Sequence, residues 1–343
     1  MRNTWVVVCA AAVGCAAAVG CAAETGASSN LGNPGNPDPG DPGDVAAVPE
    51  VRCDAAPVTG AAAGFHHVES GLIAALGDPK HRGLDLVTSA GAAGQTLEGW
   101  ISYTFVDKAL EDEDVEVFAC DAGRWYQVGT ARTGGDGRFS LDLSGADRLA
   151  IGLRDLFVSV VGDRTSARFL AYVAPDGAPL VVSDVDGTLT ASENAFLETV
   201  ASGTEPAARA GAAAVFAAAA GRGRQLVYVT ARGGQYTTAT RDWLEHQHFP
   251  RGPLRLAPSF LTLPGADTVA YKTGAIRALT AAGFAVSAGV GNRASDVTAY
   301  RNVGLTADRV FVELPEYQGE LQPLLDGHQA VGFSSYSELT GKL

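Results

Sequence analysis

Beyond Pro175 the hydrophobic pattern switches repeatedly between two periods. Leu180-Val181-Val182-Ser183 is a short continuous apolar run, which reads as a buried strand. It runs into Asp184-Val185-Asp186-Gly187-Thr188, so two carboxylates two residues apart share one face at the strand's end. Downstream the pattern predicts a helix over Ala207–Ala220, closed by Gly221, and a strand over Leu226–Thr230. It then predicts a helix over Gln235–His246 and a short strand over Leu254–Leu256. A helix over Lys272–Ala282, a strand over Phe284–Val290, a helix over Ala294–Asn302 and a strand over Arg309–Val312 complete the series. Strands alternating with helices predict a Rossmann-like parallel sheet with crossover helices, an α/β domain over residues 178–343.

Upstream the period is two. Gly99–Phe105, Val115–Phe118, Trp125–Val128, Arg138–Leu143, Leu156–Val161 and Arg168–Val173 alternate or carry β-branched and aromatic residues. Asp121-Ala122-Gly123 and Gly134-Gly135-Asp136-Gly137 separate them as turns, so residues 96–175 are expected to form a small β-sandwich with Trp100 and Trp125 in its core. Residues 53–95 form a lead-in, with one helix within Phe65–Leu76 (Val68, Leu72, Ile73, Leu76) stopped by Gly77 and Pro79. Residues 22–52 are Pro- and Gly-rich without apolar periodicity and read as a linker. Residues 1–21 have Arg2 and then an apolar, small-residue stretch from Trp5 to Gly20, which reads as a secretion signal. Ala18-Val19-Gly20-Cys21 resembles a bacterial lipobox, so Cys21 is the expected lipidation site. That predicts a protein anchored to a membrane at its N-terminus, outside the cytoplasm in a bacterial cell envelope.

Composition adds limits. Of 343 residues, 46% are hydrophobic and 18% charged, which describes a globular chain. A formal net charge of −13 argues against nucleic acid as a partner, since that binding needs a surplus of Lys and Arg. With Cys9 and Cys15 in the signal and Cys21 lipidated, Cys53 and Cys120 remain, and their spacing is compatible with a disulfide or with two thiols. His66, His67 and His81 read as structural or solvated.

The candidate chemistry lies at strand ends. Ligands of open parallel sheets sit beyond the carboxyl ends of the strands. Asp184, Thr230 and Asn292 all fall at such ends. Two carboxylates as close as Asp184 and Asp186 need a cation between them, or one must hold a proton.

The pattern Asp-x-Asp-Gly-Thr resembles the first motif of the haloacid-dehalogenase-like phosphohydrolases. Val227-Tyr228-Val229-Thr230-Ala231-Arg232, Lys272 and Gly291-Asn292-Arg293-Ala294-Ser295-Asp296 follow in that family's order. The last segment, with Val303-Gly304, resembles lipin-type phosphatidate phosphatases. Gly134–Phe139 and Val161–Thr165 extend the resemblance upstream, to the C-terminal half of membrane-associated phosphatidylinositol-transfer proteins of the retinal-degeneration-B type, over roughly Gly77–Phe333. The resemblance implies a phosphomonoester hydrolase in which Asp184 is the nucleophile and Asp186 the general acid, then base. It implies Mg2+ held by Asp184, Asp186 (through its backbone carbonyl), Asn292 and Asp296. It implies substrate-phosphate contacts from Thr230, Arg232, Lys272 and Arg293. The implied substrate is phosphatidate or a related lipid phosphate, reached under the short caps that Ala191–Pro206 and Ala257–Val269 allow. The transfer-protein relatives imply an alternative, a phosphatidic-acid-binding module without catalysis; a phosphatase for soluble phosphomonoesters is a third reading.

Overall fold

The computed structural model describes residues 46–192, 205–258, 263 and 265–343. Cys21, the signal and most of the linker lie outside the described residues, as do residues 193–204 of the first expected cap segment and 259–262 and 264 of the second.

The upstream half is a sandwich of two sheets. One contains β1 (Glu50–Val51), β3 (Leu86–Ser89), β7 (Asp114–Asp121), β8 (Arg124–Arg132), β10 (Gly152–Val160) and β11 (Ser166–Ala174), in the order β3-β11-β10-β7-β8 with β1 beside β10. The other is β2 (Arg82–Leu84), β4 (Gln95–Trp100) and β9 (Arg138–Leu143) in the order β2-β4-β9. A hairpin of β5 (Ser102–Tyr103) and β6 (Lys108–Ala109) extends from β4. Leu97, Val115, Val117, Phe139, Leu156, Val158 and Phe169 fill the space between the sheets.

β2 and β3 fall within the expected lead-in, so the sandwich begins earlier than residue 96. The lead-in helix, α1, spans Val68–Ala75. Cys53 and Cys120 are disulfide-bonded, with Cα atoms 5.9 Å apart, which ties the segment after β1 to β7. The two tryptophans are not in the core, which corrects that expectation. Trp100 lies against two guanidiniums, Arg82 and Arg138, at 4.5 and 4.6 Å from its ring centre. Trp125 packs on Phe157 at the outer face and donates its Nε1 hydrogen to the Ala55 carbonyl. Arg168 also lies 5.6 Å from the Trp125 ring centre, so both rings stack against guanidiniums rather than fill the core.

The second half is a six-stranded parallel sheet: β12 (Pro179–Ser183), β13 (Gln225–Gly233), β14 (Leu254–Ala257), β15 (Ala285–Gly291), β16 (Val310–Glu313) and β17 (Val331–Phe333), ordered β14-β13-β12-β15-β16-β17. The helices are α2 (Ala212–Gly221), α3 (Thr237–His246), α4 (Gly265–Ala281), α5 (Ala294–Asn302) and α6 (Gln318–Asp326). α6 and β17 extend the sheet beyond the predicted series, and α4 starts before Lys272 rather than at it. From β12 the chain winds one way through β13 to β14, then returns to build β15 to β17 on the other side. The crevice between β12 and β15 is therefore the topological switch point, where such sheets bind ligands.

The two halves share a core. Along β11, Phe169, Ala171 and Val173 face the sandwich interior, while Leu170, Tyr172 and Ala174 face the α/β half. There they meet Ile276 and Leu279 of α4 and Phe284. A strand apolar on both faces is a strand covered on both faces.

Candidate active site

Asp184 follows β12 directly, and its backbone N–H donates to the Val290 carbonyl of β15, so the first carboxylate stands at the switch point. Asp186 is next on the turn, and Gly187 takes φ +67°, a left-handed conformation that a side chain would strain. Asn292 follows β15, and Asp296 sits in the first turn of α5. One oxygen of Asp296 accepts from the backbone N–H groups of Asn292 and Arg293, at 3.1 Å each. Gly291 makes that approach possible, because a Cβ there would stand 2.4 Å from the Asp296 Cβ.

Lys272 reaches in from α4. Its Nζ donates to Asp184 Oδ1 and to Asp296 Oδ1, at 2.6 Å each. All three are buried. Burial alone would lower the Lys272 pKa, but the two facing carboxylates outweigh it and hold the ammonium form well above its ordinary range. Thr188 Oγ1 lies 3.1 Å from both Asp184 Oδ2 and Asn292 Oδ1. A hydroxyl has one proton, so it can serve only one of those acceptors at a time.

Asp186 takes a different partner. Arg232, at the end of β13, grips its carboxylate through Nε at 2.8 Å and Nη2 at 2.6 Å, and its Nη1 donates to Thr240 Oγ1. Thr230 Oγ1 adds a hydrogen bond to Asp186 at 3.2 Å. A register shift between Thr230 and Gly233 turns the strand so that both side chains face the rim. Arg232, the expected phosphate contact, here makes a bidentate ion pair with the candidate general acid. Arg293 is also directed elsewhere: it pairs with Glu320 at 3.0 Å and stacks over Tyr317 at 3.9 Å.

Sequence reasoning passed over the groups that hold the Gly187-Thr188 turn. Arg209 donates to the Gly187 carbonyl at 2.9 Å and pairs with Glu313 and Glu316. Tyr336 Oη donates to the Thr188 carbonyl at 2.6 Å. Burial pushes the Glu313 carboxyl up to about 7, against the pull of Arg209. Thr188 was visible in the Asp-x-Asp-Gly-Thr motif; Arg209, Glu313 and Tyr336 carry no local signal, because their role arises only from tertiary placement.

Among the described residues, no group of three or more His, Cys, Asp or Glu side chains is placed to hold a metal. The oxygen donors that do converge are carboxylates of Asp184 and Asp296 with the Asn292 amide oxygen and the Thr188 hydroxyl. Hard oxygen ligands with few carboxylates suit Mg2+, which keeps several waters, and do not suit zinc.

Comparison with known proteins finds matches for both halves of the chain. Residues 181–313 match the family model described as the LNS2 domain of PITM 1-3. Residues 79–173 match the beta-sandwich domain of the same proteins. The chain therefore carries the β-sandwich and LNS2 domains of the PITM 1-3 family. Protein retinal degeneration B from Drosophila melanogaster is 29% identical, over 68% of this chain and 18% of its own length. The human membrane-associated phosphatidylinositol transfer protein 3 is 28% identical, over 73% of this chain and 25% of its own. The chain spans about a quarter or less of these relatives. Both are animal proteins, and the human one is named as a membrane-associated transfer protein, which corrects the expectation of a bacterial, lipid-anchored envelope protein.

Proposed function

We propose that this chain hydrolyses a lipid phosphomonoester, phosphatidate or a close relative, through a phosphoryl group carried on Asp184. The observation that supports it most is Lys272 Nζ set between Asp184 and Asp296 at the switch point. An ammonium there steadies the nucleophile and faces the oxygens of an arriving phosphoryl group. In this reading an Asp184 carboxylate oxygen attacks phosphorus, the bond to the leaving oxygen breaks, and that oxygen takes a proton from Asp186. Water, giving its proton to Asp186, then attacks phosphorus and restores the Asp184 carboxylate. Asp186 can do this only when Arg232 loosens its bidentate grip, so Arg232 is the residue that positions it.

Charge supports the need for a metal. Asp184, Asp186 and Asp296 pair with Lys272 and Arg232, three carboxylates against two cations before an anionic substrate arrives. Asp184, Asp296 and Asn292, with the Asp186 backbone carbonyl, would hold Mg2+, which would supply positive charge to the phosphoryl oxygens.

A second reading is a lipid-phosphate-binding module without turnover. The Arg232–Asp186 pair favours it, as do relatives named for lipid transfer. A screen of lipid and soluble phosphomonoesters with and without Mg2+ separates the two. The proposal expects Mg2+-dependent phosphate release with dioctanoyl phosphatidate, lost by more than a thousand-fold in Asp184→Asn with the fold retained. Phosphatidate binding without phosphate release from any ester would establish the second reading instead.

A further inference from the structure

A separate cavity of about 350 Å³ lies between the sandwich and the α/β half. β2, β4 and β9 form one wall; β14 and α4 form the other. Its size is at the small end of pockets that enclose a ligand. Much of the lining is apolar, as at Leu84, Phe139, Leu256 and Ala278.

The wall carries the Glu98 and Asp85 carboxylates, but two of its other polar groups lack a hydrogen-bond partner. Trp100 and Tyr271 both line the cavity, and the Trp100 Nε1 and Tyr271 Oη atoms are buried with no hydrogen-bond partner. Buried donors of this kind are rare and costly unless something pairs with them. Arg255 stands in the same wall. Its hydrogen bonds go to the backbone carbonyls of Asp85 and Leu254, and among the described residues it makes no ion pair with a carboxylate. The carboxylate of the nearby Asp85 is committed to Arg241. Arg138, at the opposite wall, stacks over Trp100 and pairs with Asp136 at 3.3 Å. An aromatic wall, apolar sides, two unpartnered buried polar atoms and a guanidinium whose hydrogen bonds go only to backbone carbonyls favour an anionic head on an apolar chain.

We infer that this interdomain cavity binds a single-chain amphiphilic anion, its apolar chain between the domains and its carboxylate or phosphate against Arg255, Tyr271 and Trp100. The cavity is too small for a two-chain lipid, and the site is distinct from the Asp184–Lys272 centre. It gives the sandwich a binding role of its own.

Two variants test this without endangering the fold. Tyr271→Phe removes only an unpartnered hydroxyl, a change that is neutral or stabilising in the empty protein. Gly274→Leu on α4 fills the cavity, since a Cβ there meets nothing within 4 Å and the helix prefers a side chain to glycine. Titration calorimetry on the whole chain would use dodecanoate and dodecyl phosphate below their micelle concentrations, with dodecanol and inorganic phosphate as controls. We expect saturable one-to-one binding of at least one of the two anions, and the tighter of them names the headgroup. Dodecanol and inorganic phosphate should bind far more weakly. Tyr271→Phe should weaken binding about ten-fold with an unchanged or raised melting temperature, and Gly274→Leu should abolish it. Asp184→Asn should leave it unaltered, which separates this site from the proposed reaction. The inference is overturned if neither anion saturates, if dodecanol or inorganic phosphate binds equally well, or if Gly274→Leu has no effect.

Discussion

At the scale of single residues, His81 shows how burial alone sets a protonation state. Its Nδ1 accepts from the Ser102 backbone N–H and its Nε2 lies 2.8 Å from Thr165 Oγ1, so the ring is held as a neutral tautomer. Burial pulls its pKa down to about 4, with Asp163 opposing. A base whose folded pKa lies below its unfolded value of about 6.5 stabilises the fold fully above that value, because only the unfolded chain takes up a proton as pH falls. Stability is therefore lost as pH drops from about 6.5 to 4, by about 3 kcal/mol at most. Urea unfolding at pH 7.5, 5.5 and 4 should show the native chain losing more than His81→Gln across that window; parallel curves would refute the assignment. The site residues that sequence named differ in how far their partners could be read. Asp184, Lys272, Asn292 and Asp296 stand within one cluster, because motif position places them at strand and helix ends of one rim. Arg232 and Arg293 sit in the expected segments, yet a long side chain can turn to whichever carboxylate the fold brings near, and sequence spacing does not encode that choice.

At the scale of elements, the long apolar strands and periodic helices were legible, and the short edge pieces were not. β2 and β3 hide in Arg82-Gly83-Leu84-Asp85-Leu86-Val87, where a lone Asp interrupts the run and reads as a turn. Asp85 is instead a buried pin. Its carboxylate accepts from the backbone N–H of Leu170 on β11 at 2.7 Å and of Leu254 on β14 at 2.6 Å, and it pairs with Arg241 of α3 at 2.8 Å. It thereby covers the open edge of β14, which would otherwise present unpaired backbone groups. Asp85→Ala leaves a part-buried guanidinium and two backbone donors without partners, so a loss of about 2–4 kcal/mol is expected. Asp85→Asn keeps one acceptor oxygen and should cost less. Chemical denaturation of both variants gives the comparison; equal, small losses would mean that water replaces the carboxylate.

At the scale of the whole molecule, the decisive feature is the core shared across the two halves. Interfaces between domains of one chain are usually polar enough to allow relative motion. Here Leu153, Leu170 and Tyr172 of the sandwich lie in one apolar cluster with Ile276, Leu279 and Phe284, and the Tyr172 and Phe284 ring centres are 5.4 Å apart. Lys272, which organises the proposed nucleophile, rides on the same helix as Ile276 and Leu279. Docking of the sandwich therefore fixes the helix that carries the site's central cation. Two consequences follow from this continuity. The α/β half expressed alone should expose the apolar face of α4 and lose ordered packing rather than behave as an independent domain. In the intact chain both halves should unfold together. Trp125 on the sandwich and Trp243 on α3 can report separately, each as the single tryptophan left in a variant with the other three replaced by Phe. Their fluorescence midpoints in urea should coincide, as a two-state transition requires. In Tyr172→Ala, which deletes a side chain from the shared cluster, both midpoints should fall together by an amount corresponding to about 3–5 kcal/mol. If only the Trp125 midpoint moved, the halves would be independent domains in contact, and α4 would hold Lys272 without help from the sandwich.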